Sequence, residues 1–290
     1  MTAGRYGFAG LGQMGASMAA NVAARGIDLV VHDKAGTAER APEGALPVDS
    51  LAQLAGEAET LFLSLPDGPA VVDLAGALAS LENRRVSAVI DLSTIGIEAA
   101  READRILSGA GVTYVDAPVS GGQSGARAGT VTVMWAGPAE LLESHQGALQ
   151  AIGKNIFHVG DTPGQGQAMK LLNNFLSATA MAATSEAVLF GLAQGLEMKT
   201  ILDVVNVSTG RNTATADKFV NRVLTGTFDA GFKTRLLAKD VRLFLENAEA
   251  AGGPAEVAAA VAGIWRRAEA AMGEEDFTRI YEFVQGEGGG

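Results

Sequence analysis

The 290-residue chain contains no cysteine. Disulfides, thiolate metal sites and a cysteine nucleophile are therefore excluded, while the redox compartment is left open. Histidine is scarce as well: His32, His145 and His158 stand far apart in sequence, so no metal centre is expected. His145 falls in an expected helix and reads as a surface residue, and His158 reads as a strand residue near the end of a sheet. Basic residues are in deficit, 22 against 33 acidic, for a net charge of −11. Nucleic acid, which needs a basic face, is thereby disfavoured as a partner. A small anionic substrate needs only a few local donors. No unbroken apolar run reaches 18 residues, so no membrane span is expected. The apolar N-terminus reads as a nucleotide loop and not as a signal peptide, and a soluble, cytoplasmic protein is the expectation. The 37 glycines follow no triplet period, which excludes collagen.

What is present begins with a short apolar stretch at 5–9, followed at once by Gly10-Leu11-Gly12-Gln13-Met14-Gly15. A helical pattern over 16–25 and a strand pattern over 28–33 complete a βαβ unit. Gly-x-Gly-x-x-Gly alone is weak evidence, but strand, helix and strand around it point to dinucleotide binding. The glycines permit a tight turn and close approach to a pyrophosphate, and the helix N-terminus supplies N–H groups and partial positive charge. Asp33 ends the second strand, near the ~20-residue offset at which an acid binds a ribose diol. A carboxylate there accepts from the 2′-OH and repels a 2′-phosphate, which favours NAD over NADP. The adjacent Lys34 softens that preference.

Strands are expected at 60–65, 87–92, 113–116, 130–135 and 156–159, with helices at 70–81, 98–107 and 139–149. Strand alternating with helix predicts a parallel sheet covered on both faces, with ligands beyond the carboxyl ends of its strands. Asp116-Ala117-Pro118-Val119-Ser120-Gly121-Gly122 reads as a polar turn whose backbone N–H groups suit an anion.

The pattern changes after Pro163-Gly164-Gln165-Gly166. Residues 167–194 form one long apolar helix, roughly 40 Å at 1.5 Å per residue. Helices at 197–208, 214–224, 232–251, 254–272 and 275–284 follow, and residues 286–290 read as disordered. The fold class is therefore α/β: a Rossmann-type doubly wound parallel sheet over 1–164, then an all-α domain over 165–290 entered by a long interdomain helix. Lys170, Asn173, Asn174 and Ser177 make a polar seam on that helix, and Lys170 and Asn174, four apart, share one face. Buried polar groups need partners; an ammonium, an amide and an anion cradle make a site for a small acid bearing a carbonyl or hydroxyl. The short, apolar helical half also predicts a homodimer or homotetramer.

These residues together resemble the β-hydroxyacid dehydrogenases, the family of 3-hydroxyisobutyrate dehydrogenase and tartronate semialdehyde reductase. The resemblance spans nearly the whole chain and rests on the glycine motif, the segment from Asp116 to Gly122, Lys170-Leu171-Leu172-Asn173-Asn174, and Lys239-Asp240. It implies Lys170 as catalytic acid/base and Ser120, Gly121, Gly122, Asn174 and Lys239 as substrate contacts. It implies cofactor contacts at Gly10, Leu11, Gly12, Gln13, Met14, Gly15, Asp33, Leu65, Pro66 and Thr94, with Lys239 closing over the nicotinamide end. Phosphogluconate dehydrogenases, also similar, carry histidine where Asn173 stands and have a longer C-terminal domain. The family's Ser-Thr-Ile-x-Pro has Ile97 in place of proline here, and Arg127 sits where 3-hydroxyisobutyrate enzymes have an arginine.

The implied reaction is hydride exchange between NAD(H) and a small β-hydroxy acid or its semialdehyde. Lys170 passes the proton to or from the substrate oxygen. A free lysine titrates near ~10.4, and burial beside a cationic ring should lower that value. An imine-reducing relative on the same scaffold is the first alternative, though such relatives generally lack the lysine. A non-catalytic nucleotide-binding protein is the second.

Overall fold

The computed structural model describes residues 4–287. The chain divides into two compact units, Met1–Lys170 and Leu171–Gly290.

The first unit is built on a nine-stranded sheet. Its elements are β1 (Tyr6–Ala9), α1 (Gln13–Ala24), β2 (Leu29–His32), β3 (Leu46–Pro47), α2 (Leu51–Glu57), β4 (Thr60–Leu63), α3 (Gly68–Ala79), β5 (Ala88–Asp91), α4 (Ile97–Gly109), β6 (Thr113–Asp116), β7 (Val119–Ser120), α5 (Gly122–Ala128), β8 (Val131–Ala136), α6 (Ala139–Ile152) and β9 (Gly153–Gly160). The strand order is β3-β2-β1-β4-β5-β6-β8-β7, with β9 beside β8. Side chains alternate between the sheet's faces at period two. Phe8, Val31, Phe62, Ile90 and Val115 join Met18 and Val22 of α1 and Leu149 of α6 in one core. Ala9, Val30, Leu61, Leu63 and Val89 join Leu54 of α2, Val71 and Leu78 of α3 and Ala103 of α4 in the other. The sheet is thus covered on both sides. Because β1 pairs with both β2 and β4, the chain order reverses at β1. The loop after β1 is therefore the switch point at which such sheets bind ligands.

Several sequence expectations are corrected. The sheet is parallel from β3 to β6, but β8 runs antiparallel to β6 and β7. Ala117 and Pro118 separate β6 from β7, both of which run antiparallel to β8, and α5 lies in the connection that brings the chain back from β7 to β8. The polar turn at 116–122 is more ordered than expected: it contains β7, and α5 begins at Gly122. Two elements, β3 and α2, occupy a stretch that carries no strong periodicity. Ser50 caps α2 by accepting from the N–H of Gln53 at 3.2 Å, and the Gln53 side chain accepts from the N–H of Asp49 at 2.9 Å. His145 is not a surface residue. It is buried on α6, where Nδ1 meets the Tyr6 hydroxyl at 2.8 Å and burial lowers its pKa. His158 lies in β9, its Nε2 donating to the carbonyl of Gly137 at 2.9 Å.

Helix α7 (Gln165–Ala193) carries the chain from the first unit into the second. The second unit continues with α8 (Met198–Val205), a π-helix (Ala214–Val223), α9 (Thr234–Ala250), α10 (Glu256–Met272), a 3-10 turn (Phe277–Arg279) and α11 (Ile280–Glu287). Its core gathers Ala178, Met181, Phe219, Val241, Trp265 and Ile280. Burying a side chain such as Phe219 contributes roughly 1.5–3 kcal/mol. Gly286 and Glu287 belong to α11 and are not disordered; residues 288–290 of the expected disordered tail lie outside the described residues. By length and composition α7 is apolar enough to cross a membrane, although no unbroken apolar run announces it. The core helix of a globular unit passes the same test, and Ala178, Met181 and Val188 of α7 are buried in the second unit's core.

Candidate active site

The carboxyl edge of the sheet is held together by a run of hydrogen bonds from one strand end to the next. At the switch point, Gly10 has φ +93°, and a Cβ there would stand 2.3 Å from the Ser64 carbonyl oxygen, so only glycine turns the chain so tightly. Gly12 is the N-cap of α1 and gives no side-chain cap. A Cβ on Gly12 would meet nothing within 4 Å. The first turn of α1 thus opens onto clear space with its N–H groups uncapped by any side chain, which fits a pyrophosphate.

Asp33 follows β2, and its Oδ2 accepts from the N–H of Leu11 at 2.6 Å. Its Oδ1 accepts from the N–H of Ala35 at 2.7 Å. The carboxylate is thereby fixed beside the glycine loop with acceptor capacity remaining for a ribose diol. Arg40, which the sequence reading passed over, places a guanidinium nitrogen 3.7 Å from Asp33 Oδ2.

The next strand ends continue the run. Leu65, followed by the exposed Pro66, donates its N–H to the Ser93 hydroxyl at 2.8 Å. Ser93 donates its N–H to Asp91 at 2.9 Å, and the Tyr114 hydroxyl donates to the other oxygen of Asp91 at 2.9 Å. Thr94, half-buried, stands between Ser93 and Ile95 in the same loop. Ile97, where the family's proline would fall, is the first residue of α4.

Ser120 closes β7, and Gly121 and Gly122 follow with φ of +144° and +63°. These values expose consecutive backbone groups in a turn that residues with a Cβ rarely adopt. Gln123, next in line, donates to the side chain of Gln13 at 2.7 Å and accepts from Arg127 at 3.1 Å. The expected substrate turn and the expected dinucleotide loop are therefore tied together directly.

Lys170 lies on α7 and is only 8 % exposed, so its ammonium is not extended into bulk water. The turn of α7 before it is anchored twice. The carboxylate of Asp116 accepts from the N–H of Gly164 at 2.9 Å and from that of Gln167 at 2.7 Å, capping the helix. Gly166 permits this approach, since a Cβ there would lie 2.7 Å from the carbonyl and a carboxylate oxygen of Asp116. Burial raises the Asp116 pKa to about 7, against the opposing pull of those two N–H donors, and the nearby Asp91 carboxylate adds to the rise. The Gln167 side chain binds the loop after β5 in turn.

In the second unit, Asn174 and Lys239 meet through a residue to which no role was assigned. Asn174 donates to Asp240 Oδ2 at 2.6 Å, and Lys239 Nζ stands 3.4 Å from Asp240 Oδ1. The buried Oδ1 accepts no hydrogen bond, and the Lys239 ammonium compensates its charge. The Asn173 side chain donates to Asn174 Oδ1 at 3.1 Å, which orients that amide.

Sequence reasoning places Ser93 at a ligand-side strand end without a role, and passed over Gln123, Gln167 and Arg40. For Gln167 a signal existed, a polar residue three positions before Lys170 on an apolar helix. Ser93 and Gln123 adjoin motif residues but act through side-chain contacts that spacing does not reveal.

Comparisons with known proteins agree with this geometry. Residues 5–160 match a family model described as the NAD binding domain of 6-phosphogluconate dehydrogenase. Residues 164–284 match one described as NAD-binding of NADP-dependent 3-hydroxyisobutyrate dehydrogenase. The 3-hydroxyisobutyrate dehydrogenase of Pseudomonas aeruginosa is 35 % identical, over 96 % of this chain and 98 % of that protein. The 2-(hydroxymethyl)glutarate dehydrogenase of Eubacterium barkeri is 33 % identical, over 95 % of this chain and 93 % of its own. Among solved structures, the Mycobacterium tuberculosis 3-hydroxyisobutyrate dehydrogenase with L-serine superposes with a TM-score of 0.90 at 28 % identity, covering 97 % of this chain and 99 % of that one. With a switch-point glycine loop, an acid fixed beside it and family matches along both units, the chain belongs to the β-hydroxyacid dehydrogenase family and uses NAD.

Proposed function

We propose that the protein interconverts a small β-hydroxy acid and its aldehyde or semialdehyde, with NADH as hydride donor in reduction and NAD⁺ as acceptor in oxidation. Lys170 donates a proton to the oxygen of the carbonyl as it is reduced and removes it in the reverse direction. The observation that carries this reading is the burial of that ammonium on a helix whose first turn is hydrogen-bonded to the carboxyl ends of β5 and β6. The helix end holding it belongs to the same sheet edge as the dinucleotide loop.

The N–H groups around Ser120, Gly121 and Gly122 hold the substrate carboxylate, and Asn174, kept in orientation by Asp240, contributes a further polar contact. Lys239 closes the site at the nicotinamide end. Gly10, Leu11, Gly12, Gln13, Met14 and Gly15 take the pyrophosphate, Asp33 the ribose, and Leu65, Pro66 and Thr94 line the cofactor's path. NAD is favoured over NADP because Asp33 occupies the 2′ position, while Lys34 and Arg40 reduce the repulsion of a phosphate there.

The similar proteins named for 3-hydroxyisobutyrate and 2-(hydroxymethyl)glutarate support a hydroxymethyl-bearing acid as substrate. A panel of β-hydroxy acids, assayed by absorbance of the reduced cofactor with NAD and NADP in separate runs, tests the proposal. Turnover of at least one acid with NAD supports it, and binding of NAD without turnover of any acid opposes it. A homodimer or homotetramer is also proposed, since Leu172, Leu176 and Phe190 leave large apolar area exposed along α7.

A further inference from the structure

We infer that Gln167 is a positioning residue that couples the loop after β5 to the helix turn bearing Lys170, so that proton transfer by Lys170 depends on a three-point amide clip. The inference rests on the β-hydroxy acid reading above and adds to it a residue that the comparisons do not single out. Gln167 is completely buried. Its Oε1 accepts from the N–H of Ile95 at 2.9 Å and from the N–H of Gly96 at 3.2 Å, and its Nε2 donates to the carbonyl of Ser93 at 3.1 Å. Two donors facing one end and an acceptor facing the other determine the amide's orientation. Its own N–H is held by Asp116.

The first turn of α7 is therefore held from two directions, by a β6 carboxylate reaching into the helix and by a helix amide reaching out to the β5 loop. Lys170 lies three residues further on, on the neighbouring part of the same helix face. The loop that is clipped contains Thr94, and its first residue, Ser93, holds the N–H of Leu65. A shift of this loop or of this turn moves the proton donor relative to the cofactor-lining segments. A displacement near 1 Å in such an arrangement can cost about a hundredfold in rate.

The clip makes a specific demand, an acceptor and a donor on one planar group. A neutral carboxylic acid meets it; a carboxylate does not, because it repels the Ser93 carbonyl. Q167E should therefore be a variant whose clip is restored by acid. Burial favours the neutral form of the introduced carboxyl. So do Asp116 on β6 and Asp91 on β5, while Lys170 on α7 and Arg101 on α4, whose Nε would lie 3.5 Å from a Cβ on Gly164, oppose it. Burial raises the pKa of Asp116 itself to about 7 in the parent, so the variant is compared with the parent at each pH.

The experiment measures kcat for the full chain, Q167E and Q167M from about pH 6 to about pH 9, together with amide hydrogen exchange at Ile95 and Gly96 in the absence of cofactor. The expected result is a kcat lowered roughly a hundredfold in Q167M at every pH, with exchange at Ile95 and Gly96 accelerated. In Q167E the ratio to the parent should rise by about tenfold or more as pH falls, with exchange protection returning over the same range. Parental kcat in Q167M, a Q167E ratio that does not change with pH, or unchanged protection at Ile95 and Gly96 would each overturn the inference. A parent protein that turns over no β-hydroxy acid would instead defeat the reading on which the inference rests, and the exchange arm would still decide whether the clip exists.

Discussion

The carboxylate of Asp116, at the end of β6, accepts the backbone N–H of Gln167 at 2.7 Å and so fixes the helix turn that precedes Lys170. Asp116 is fully buried, and Asp91 lies opposite it in the parallel register of β5 and β6. One buried acid thus links the sheet to the proposed acid/base, and it carries a stability signature.

Burial raises the Asp116 pKa to about 7 in the folded protein, against about 3.9 in an unfolded chain. The native state therefore holds this proton more tightly than the unfolded state. Between about pH 4 and about pH 7 the unfolded form has already lost its proton, so the contribution to stability falls as pH rises and levels off above the folded value. The difference in unfolding free energy between the parent and D116N, from urea titrations across that range, should decline by a few kcal/mol, on the order set by the shift, and then flatten. A difference independent of pH would contradict the assignment.

Gly166 admits Asp116 to the start of α7, since a Cβ would fall 2.7 Å from two Asp116 oxygens and from the carbonyl of Met134. Backbone cannot yield as a flexible side chain can. G166A should lose about 1–3 kcal/mol of stability, read as a lower urea midpoint with an unchanged m-value, and its kcat should fall because the turn before Lys170 shifts.

Asp33 holds the N–H of Leu11 at 2.6 Å while Arg40 stands 3.7 Å away. Replacing the acid by serine removes both the proposed charge-assisted hydrogen bond to the ribose and the repulsion of a 2′-phosphate. D33S should raise KM for NAD by about tenfold or more and lower KM for NADP. D33S combined with R40A should lose that gain with NADP. Steady-state titration of both cofactors checks the pair, and equal effects on NAD and NADP would oppose the proposed subsite.

Asp240 accepts from the buried Asn174 amide at 2.6 Å. D240A leaves that donor unpartnered, which costs about 1–3 kcal/mol. It should also raise KM for the acid more than KM for NAD, because Asn174 loses its orientation. Initial rates with each substrate varied in turn distinguish the two constants.

Much of the architecture was legible because hydrophobic periodicity and loop chemistry agree. The strand at 113–116 coincides with β6, and the long apolar stretch after Gly166 forms α7, begun slightly earlier because Asp116 caps it. What escaped reading depends on partners distant in sequence. The alternation at 130–135 reveals a strand but not its direction, which is decided by the antiparallel pairing of β8 with β6 and β7. His145 sits among polar neighbours on α6 and looks solvated until Tyr6, 139 residues away, supplies its partner. Helix α2 was readable in principle: Ser50 and Gln53 have capping-box spacing, but the helix is too short for its periodicity to stand out. In the site, Lys170 and Asn174 announce themselves by helical spacing. Gln167 and Asp116 take their meaning from each other and from the β5 loop, contacts that spacing cannot reveal.

The most direct test of the account removes the Lys170 side chain. K170A should fold, bind NAD with an affinity close to the parent's in a fluorescence titration, and lose turnover of the best β-hydroxy acid by about two to four orders of magnitude, the range of a general acid/base. Turnover within a few-fold of the parent, with NAD binding intact, would contradict the claim that Lys170 moves the proton.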